Sequence, residues 1–165
     1  EAQAADEFSR TEGGFSRFNF DVNHVSKLSK VTQFYIFAHG QLANRNLDSS
    51  EQFYLGGADA VRAYPQGEAG GDSGYQATAE LRYQTPVKGM SMTLFADVGE
   101  VLARKDGDTS DPHRRLAGWG IGAVYSLDRS LYARLDYARK IKGESYRSEA
   151  EDKNGRLWFR LYKLF

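Results

Sequence analysis

The sequence contains no cysteine, only three prolines and no apolar run of 18 residues among its 165 residues. The absence of cysteine excludes a disulfide framework, a thiolate metal site and a cysteine nucleophile. Without a long apolar run there is no candidate transmembrane helix. Neither sign of charge is in excess, because 22 Lys and Arg balance 22 Asp and Glu. A balanced chain lacks the basic footprint of a nucleic-acid-binding protein, so no nucleic-acid partner is expected.

Aromatic residues and glycines are abundant instead. There are ten Tyr, ten Phe and 17 Gly. This composition favours many β-strands joined by turns, and aromatic girdles. No helical periodicity interrupts the chain, and its length is sufficient for one domain. We therefore treat residues 1–165 as a single all-β segment.

Apolar and polar residues alternate with the period of two that is typical of strands. The alternation begins at Phe15, and a short polar turn follows at residues 26–30. Seven strands of about ten residues are predicted, and after the first one they occupy residues 31–43, 75–85, 90–99, 114–127, 131–140 and 156–165. Their connections are alternately short and long, which favours antiparallel pairing of neighbours in chain order.

A water-soluble β-sandwich shows the same alternation, so it is the first alternative. Two features favour a transmembrane barrel. The polar faces carry charge in mid-strand, as at Glu80, Arg82 and Asp97. All the tight turns also fall at one end and all the long polar loops at the other, as in outer-membrane barrels. A strand of ten residues is long enough to cross a bilayer when tilted.

The odd number of strands needs an explanation, because bacterial single-chain barrels usually have an even number. One possibility is an eighth strand before Phe15. The other is that these strands are the C-terminal part of a larger barrel. In the second case residues 1–14 are an extracellular loop.

Residues 51–74, called the long loop from here on, have the sequence EQFYLGGADAVRAYPQGEAGGDSG. The segment is too long and too rich in glycine to be predicted as a strand or helix. Its aromatic and aliphatic residues need packing partners, so we expect an ordered loop. Loops of this length without secondary structure are usually functional or disordered. One arginine, Arg62, lies in its apolar centre.

This loop, followed by AELRY and LFADVG, resembles the C-terminal barrel half of the two-partner secretion transporters. These are the haemolysin activator/secretion proteins of the Omp85 superfamily. The resemblance runs through nearly the whole chain in order, and the string LGG-x-x-x-VR-x-Y-P-x-GE-x-x-GD is specific. It implies a 16-stranded antiparallel transmembrane β-barrel, preceded by two periplasmic POTRA domains and a plug helix. The seven strands here would be the last seven.

The resemblance also implies roles for individual residues. The long loop would fold into the barrel lumen, with Arg62 at its tip. Its partner would be Asp97 of the Phe-x-Asp-x-Gly motif, and Glu80 on the adjacent strand is a second candidate. The complete set of motif residues is Val61, Arg62, Tyr64, Pro65, Glu80, Phe95, Asp97 and Gly99. Phe165 would be the membrane-insertion signal at the end of the last strand.

The function that the resemblance implies is a pore in the outer membrane of a Gram-negative bacterium. It would secrete an unfolded, TpsA-like exoprotein of haemolysin or adhesin type. Outer-membrane lipid would be the second partner. No cofactor is expected, and no enzymatic activity, because the sequence shows no nucleophile–base constellation. Two departures from the family pattern stand out. Ala63 occupies a position where many superfamily members have glycine, and Lys163 precedes Phe165 where an apolar residue is preferred.

Other functions remain as alternatives. One is an outer-membrane protein insertase of the same superfamily, although the loop here reads Val-Arg-Ala-Tyr-Pro instead of an Arg-Gly-Phe motif. Another is a small closed barrel acting as an adhesin or enzyme. No metal site is expected, because the three histidines lack ligand spacing. Glu68 and Asp72 suggest only a weak calcium-loop candidate. Three glycines, Gly118, Gly120 and Gly122, either make room for the loop or bend the strand.

Overall fold

The computed structural model describes residues 14–102, 113–128, 130–141 and 154–165. Within these ranges the chain forms nine strands and one short 3₁₀ helix at Ser49–Glu51. The strands are β1 (Arg17–Lys27), β2 (Thr32–Ala43), β3 (Phe53–Leu55), β4 (Ala69–Gly71), β5 (Ser73–Gln84), β6 (Met90–Leu102), β7 (His113–Ser126), β8 (Leu131–Lys140) and β9 (Gly155–Lys163). No helix in the described part of the chain is long and apolar enough to cross a membrane.

Seven of these strands form one antiparallel sheet in the order β1-β2-β5-β6-β7-β8-β9. Each strand therefore pairs with its predecessor among the seven long strands, and the predicted topology is confirmed. Three short connections, after β1, β5 and β7, join the strands at one end of the sheet. The longer connections, which include the long loop between β2 and β5, join the strands at the other end. The predicted residues 1–13 of the extracellular loop, and any strand within them, lie outside the described residues.

The predicted turn at residues 26–30 begins too early. Strand β1 continues to Lys27, which pairs with Gln33 of β2. The backbone amides of Leu28 and Ser29 then both donate to the carbonyl of Thr32. The polar residues at the end of β1 look like a turn in sequence, but they extend the hydrogen-bonded ladder. Pairing with the neighbouring strand thus outweighs local polarity.

The two faces of the sheet have opposite character. The face that carries the long loop, called the inner face, is polar and buried at its centre. Along β6 the buried residues Thr93, Phe95 and Asp97 alternate with exposed Leu94 and Val98. The opposite, outer face presents a row of exposed apolar side chains that includes Met92, Leu94, Val98, Trp119, Ile121, Leu135, Leu157, Phe159 and Leu161. Apolar residues outside and charges inside are the reverse of a water-soluble sandwich.

The long loop contains secondary structure that the sequence did not predict. Strands β3 and β4 form a two-stranded antiparallel sheet, with Phe53 opposite Gly71 and Leu55 opposite Ala69. Strands of three residues are too short to produce a recognisable alternation. Phe53 and Leu55 are buried, and Leu55 lies against Gly99 of β6. The loop is thus a small hairpin with a longer tip, which lies between β3 and β4.

Candidate functional site

The long loop packs against the inner face of the sheet and supplies most of the apolar core. Its residues Val61 and Tyr64 are buried. They belong to a single cluster, whose members are Phe53, Leu55, Val61, Ala63, Tyr64, Ala69, Phe95, Val101, Leu116 and Ala138. Six of these ten come from the loop. The other four come from β6, β7 and β8 of the seven-stranded sheet, which we call the wall. The core of this structure is therefore an interface between the loop and the sheet.

Arg62 reaches Asp97 on β6 through three hydrogen bonds. The Nε atom donates to Oδ2 at 2.9 Å and the Nη2 atom donates to Oδ1 at 2.7 Å. The backbone amide of Arg62 also donates to Oδ2, at 3.1 Å. Arg62 and Asp97 are 3% and 1% exposed. A bidentate guanidinium–carboxylate pair fixes direction as well as distance, so this contact determines the orientation of the loop tip.

Glu80 on β5 is the second carboxylate in contact with Arg62. Its Oε1 atom accepts a hydrogen bond from Arg62 Nη1 at 2.9 Å. The same oxygen accepts one from Arg134 at 3.0 Å, and Oε2 accepts one from Arg82 at 2.8 Å. Glu80 thus connects the loop arginine with two arginines of the wall.

Asp136 on β8 belongs to the same cluster, and the sequence analysis did not single it out. Its Oδ2 atom accepts hydrogen bonds from Arg134 at 2.7 Å and from Arg160 at 2.9 Å. Arg62 Nη1 lies 3.8 Å from its Oδ1 atom. The alternation of the strand could have pointed to this residue. Asp136 alternates with the outward-facing Leu135 and Tyr137, as Asp97 does with its neighbours, so both aspartates are expected on the inner face. Sequence alone did not show that these two aspartates meet at one arginine.

The wall side chains that surround Arg62 have balanced charge. Three carboxylates, Glu80, Asp97 and Asp136, stand beside three arginines, Arg82, Arg134 and Arg160. We call these six residues and Arg62 the charge cluster. Asp59 of the loop adds an ion pair with Arg160. At this cluster the loop thus adds one positive charge, Arg62, and one negative charge, Asp59, to six wall side chains whose charges already balance.

The other predicted motif residues surround this cluster. The Phe95 ring lies directly against the guanidinium of Arg62, whose Cζ atom is 3.3 Å from the ring centroid. Tyr64 lies near Lys140, with Nζ 4.9 Å from the ring centroid. Pro65 is partly buried in the loop, and Gly99 faces Leu55. Phe165 follows β9 and is fully exposed, so its role as an insertion signal stays a prediction.

Four residues outside the predicted motif set also contribute to the site, and of these the sequence analysis had named only the two glycines. Thr78 donates to Asp97 Oδ1 at 2.9 Å. Trp158 on β9 donates from Nε1 to the carbonyl of Arg62 at 2.7 Å. Gly120 and Gly122 leave space for the Phe95 ring and the Asp136 carboxylate, respectively. Long-range contacts of this kind depend on strand register, which the pattern of one sequence does not fix.

The calcium-loop candidate has a structural explanation. Asp72 Oδ1 accepts hydrogen bonds from the amide of Leu47 and the side chain of Gln52. Among the described residues, no group of three or more histidine, aspartate or glutamate side chains is arranged to hold a metal ion. The charge cluster contains arginine beside every carboxylate, which is the arrangement of a structural ion-pair network.

Comparisons with known proteins agree with this architecture. A model of the family described as haemolysin secretion/activation protein ShlB/FhaC/HecB matches residues 1–125. The heme/hemopexin transporter protein HuxB from one Haemophilus influenzae strain is 33% identical over 98 residues, which is 58% of this chain and 17% of HuxB. HuxB from a second strain is 34% identical over 88 residues, or 52% of this chain and 16% of HuxB. The chain therefore corresponds to about a sixth of these relatives.

A solved structure shows the same fold. CdiB from Acinetobacter baumannii superimposes with a TM-score of 0.68 and 22% sequence identity. The match covers 90% of this chain and 27% of CdiB. The predicted all-β, antiparallel barrel architecture is confirmed by this likeness and by the seven-stranded sheet.

Proposed function

Because the chain belongs to the haemolysin secretion/activation protein ShlB/FhaC/HecB family, we propose that it forms one part of the wall of an outer-membrane pore, and that this pore secretes a partner exoprotein. The chain spans about a sixth of its curated relatives. The remaining strands of the barrel, and the POTRA domains that the resemblance implies, would come from outside this sequence. Their presence and the activity of the whole protein are part of the proposal.

One observation supports the proposal most strongly: the long loop lies on the inner face, fastened through Arg62 to carboxylates of three different strands. Glu80, Asp97 and Asp136 belong to β5, β6 and β8. A loop held there in a complete barrel occupies lumen space. Ordering about 20 residues costs conformational entropy, and the buried charge cluster and core offset that cost. The fastened loop would then set the internal shape of the pore through which the exoprotein passes.

The partner would be an unfolded, TpsA-like exoprotein. The inner face offers such a chain polar and aromatic groups, since Tyr35, Phe37 and His39 line a cavity of about 480 Å³ beside Arg82 and Asp59. HuxB is named a heme/hemopexin transporter protein. An exoprotein that binds haem or hemopexin is therefore the first candidate partner to test.

The outer face supports an outer-membrane location. Its apolar row runs along the middle of β6 to β9. Lys163 on β9 donates to Ser130 in the turn before β8, at 2.8 Å. A lysine at the strand end, bonded to a turn, can keep its ammonium group at the membrane–water interface. Its position beside Phe165 is therefore compatible with a lipid-facing terminal strand.

Secretion assays in the full-length protein test the proposal. Arg62→Ala and Asp97→Ala should each lower the amount of exoprotein released, while the amount of transporter in the outer membrane stays close to wild type. Removing one partner of a buried pair leaves the other uncompensated and costs about 3–5 kcal/mol in a dry site, and less in a wet one. Arg115→Ala is the matched control, because the exposed Arg115 pairs with Glu100 near the strand ends of β6 and β7, away from the charge cluster. Wild-type release by either site variant would contradict the proposal.

A further inference from the structure

The long loop is held to the wall at two separate places. The first is the tip, residues 56–67, where Arg62 joins the charge cluster. The second, called the root, consists of the hairpin β3–β4 together with Asp72. Both places pack in the apolar core, but their polar contacts differ: ion pairs of Arg62 and Asp59 at the tip, and hydrogen bonds from the Leu47 amide and Gln52 to one carboxylate at the root.

Asp72 is the centre of the root. It is fully buried, and its Oδ1 atom accepts hydrogen bonds from the Leu47 amide at 3.0 Å and from Gln52 Nε2 at 3.2 Å. Its own amide donates to the carbonyl of Leu102 at the end of β6, at 2.9 Å. Asp72 therefore joins the chain that enters the loop, the chain that leaves it and the wall.

Gln41 on β2 reinforces the same junction. Its Nε2 atom donates both to the carbonyl of Glu51, where the loop begins, at 2.9 Å, and to the carbonyl of Asp72, where it ends, at 3.1 Å. A buried amide that bridges both ends keeps the hairpin closed at its base. None of these contacts involves Arg62.

The tip has the features of a separate unit. Glycines with positive φ stand at both of its ends: Gly56 at 87°, Gly57 at 116° and Gly67 at 70°. Inside it, the amide of Gly57 donates to the carbonyl of Tyr64 at 3.1 Å. Glycines adopt such angles without steric cost, and so they can absorb a change of direction. Rotation about these glycines would leave the backbone hydrogen bonds inside the tip, such as those from Ala60 to Gly57 and from Tyr64 to Val61, in place.

We infer that Asp72 is a positioning residue that holds the root of the long loop on the wall independently of Arg62. Release of Arg62 from Asp97 and Glu80 then moves the tip alone, while β3 and β4 stay docked on β6. The consequence for secretion rests on the proposed function: the moving gate would be a unit of about twelve residues instead of the whole loop.

Single introduced cysteines test this inference in the full-length protein in its outer membrane. This chain contains no cysteine, so any native cysteines elsewhere in the protein would be replaced. Val61→Cys reports on the tip and Leu55→Cys on the root, since both side chains are fully buried. The probe is a membrane-impermeant maleimide, and the measurement is the labelling rate without any exoprotein.

We expect the two substitutions to expose different positions of the loop. Arg62→Ala should raise labelling of the cysteine at position 61 by about tenfold or more and leave position 55 protected. Asp72→Ala should do the reverse. Asp72→Asn keeps an oxygen that accepts from Leu47 and Gln52, so labelling at position 55 should stay near wild type. Such rescue distinguishes a hydrogen-bonding role from a general loss of stability.

Three outcomes would overturn the inference. In the first, Arg62→Ala exposes both positions equally, so that the loop moves as one body. In the second, Asp72→Ala leaves position 55 protected. In the third, Asp72→Asn exposes position 55 as much as Asp72→Ala does.

A second variant covers the case in which Asp72→Ala is not recovered in the membrane. Gln41→Ala removes two root hydrogen bonds. Unchanged labelling at position 55 in that variant would also overturn the inference. Labelling is measured without an exoprotein. The result can therefore be interpreted even if the secretion assay contradicts the proposed function.

Discussion

Gly118 of β7 lies in direct contact with Ala63 of the long loop: a Cβ atom placed on Gly118 would be 2.6 Å from the Cβ atom of Ala63. The position opposite Gly118 on β6 is Asp97, so the small residue stands beside the carboxylate that binds Arg62. Of the two explanations for the glycines of this strand, room for the loop accounts for Gly118.

Gly118→Ala is therefore expected to displace the loop tip. Overpacking by one methyl group at a closely packed contact costs about 1–3 kcal/mol, and it should raise labelling at position 61 and lower secretion. Ala63→Gly should restore both when combined with Gly118→Ala, because it removes the clashing atom. Gly14→Ala is the control, since a Cβ atom there meets nothing within 4 Å. If the double variant shows the same labelling and the same secretion as Gly118→Ala alone, the contact between positions 63 and 118 is not the cause of the displaced tip.

Arg62→Lys should behave more like Arg62→Ala than like wild type. Lysine keeps the charge, but it cannot bind Asp97 through two nitrogens, reach Glu80 and lie flat against Phe95 at the same time. We expect a loss of about 2 kcal/mol in the stability of the loop–wall contact, the usual size of a hydrogen bond to a charged group. The readout is the labelling rate at position 61, with Arg115→Lys as the control. Wild-type protection in Arg62→Lys would show that charge alone holds the tip.

Trp158→Phe should loosen the tip without removing any charge. The substitution deletes the hydrogen bond to the carbonyl of Arg62 and keeps an aromatic ring on β9. A lost hydrogen bond to a partly buried carbonyl costs about 1 kcal/mol, so labelling at position 61 should rise about fivefold, less than in Arg62→Ala. The control is Trp119→Phe on the outer face. Equal labelling in the two variants would mean that Trp158 does not help to hold the tip.

The sequence predicted the seven-stranded sheet well because the alternation of apolar and polar residues is a local pattern. Alternation placed Asp97 and Glu80 on the polar face, and the burial of β6 follows that pattern residue by residue. The hairpin β3–β4 was missed because three-residue strands leave no period to read. Asp136 and Trp158 were missed because their contacts with Arg62 span 74 and 96 residues of chain, the differences between their numbers and 62. Such contacts depend on the register of four strands, which a single sequence specifies only weakly.

The two tryptophans also test which face meets lipid. Trp119 is on the outer face and is about half exposed, whereas Trp158 is on the inner face and bonds to the loop. In vesicles made from lipids with brominated acyl chains, the fluorescence of Trp119 should be quenched and that of Trp158 should not. Trp119→Phe should therefore remove most of the quenchable signal of this segment, and Trp158→Phe should leave it in place. The opposite result would place the charge cluster towards lipid, where unscreened charges cost several kcal/mol each, and would refute the assignment of faces on which the pore proposal depends.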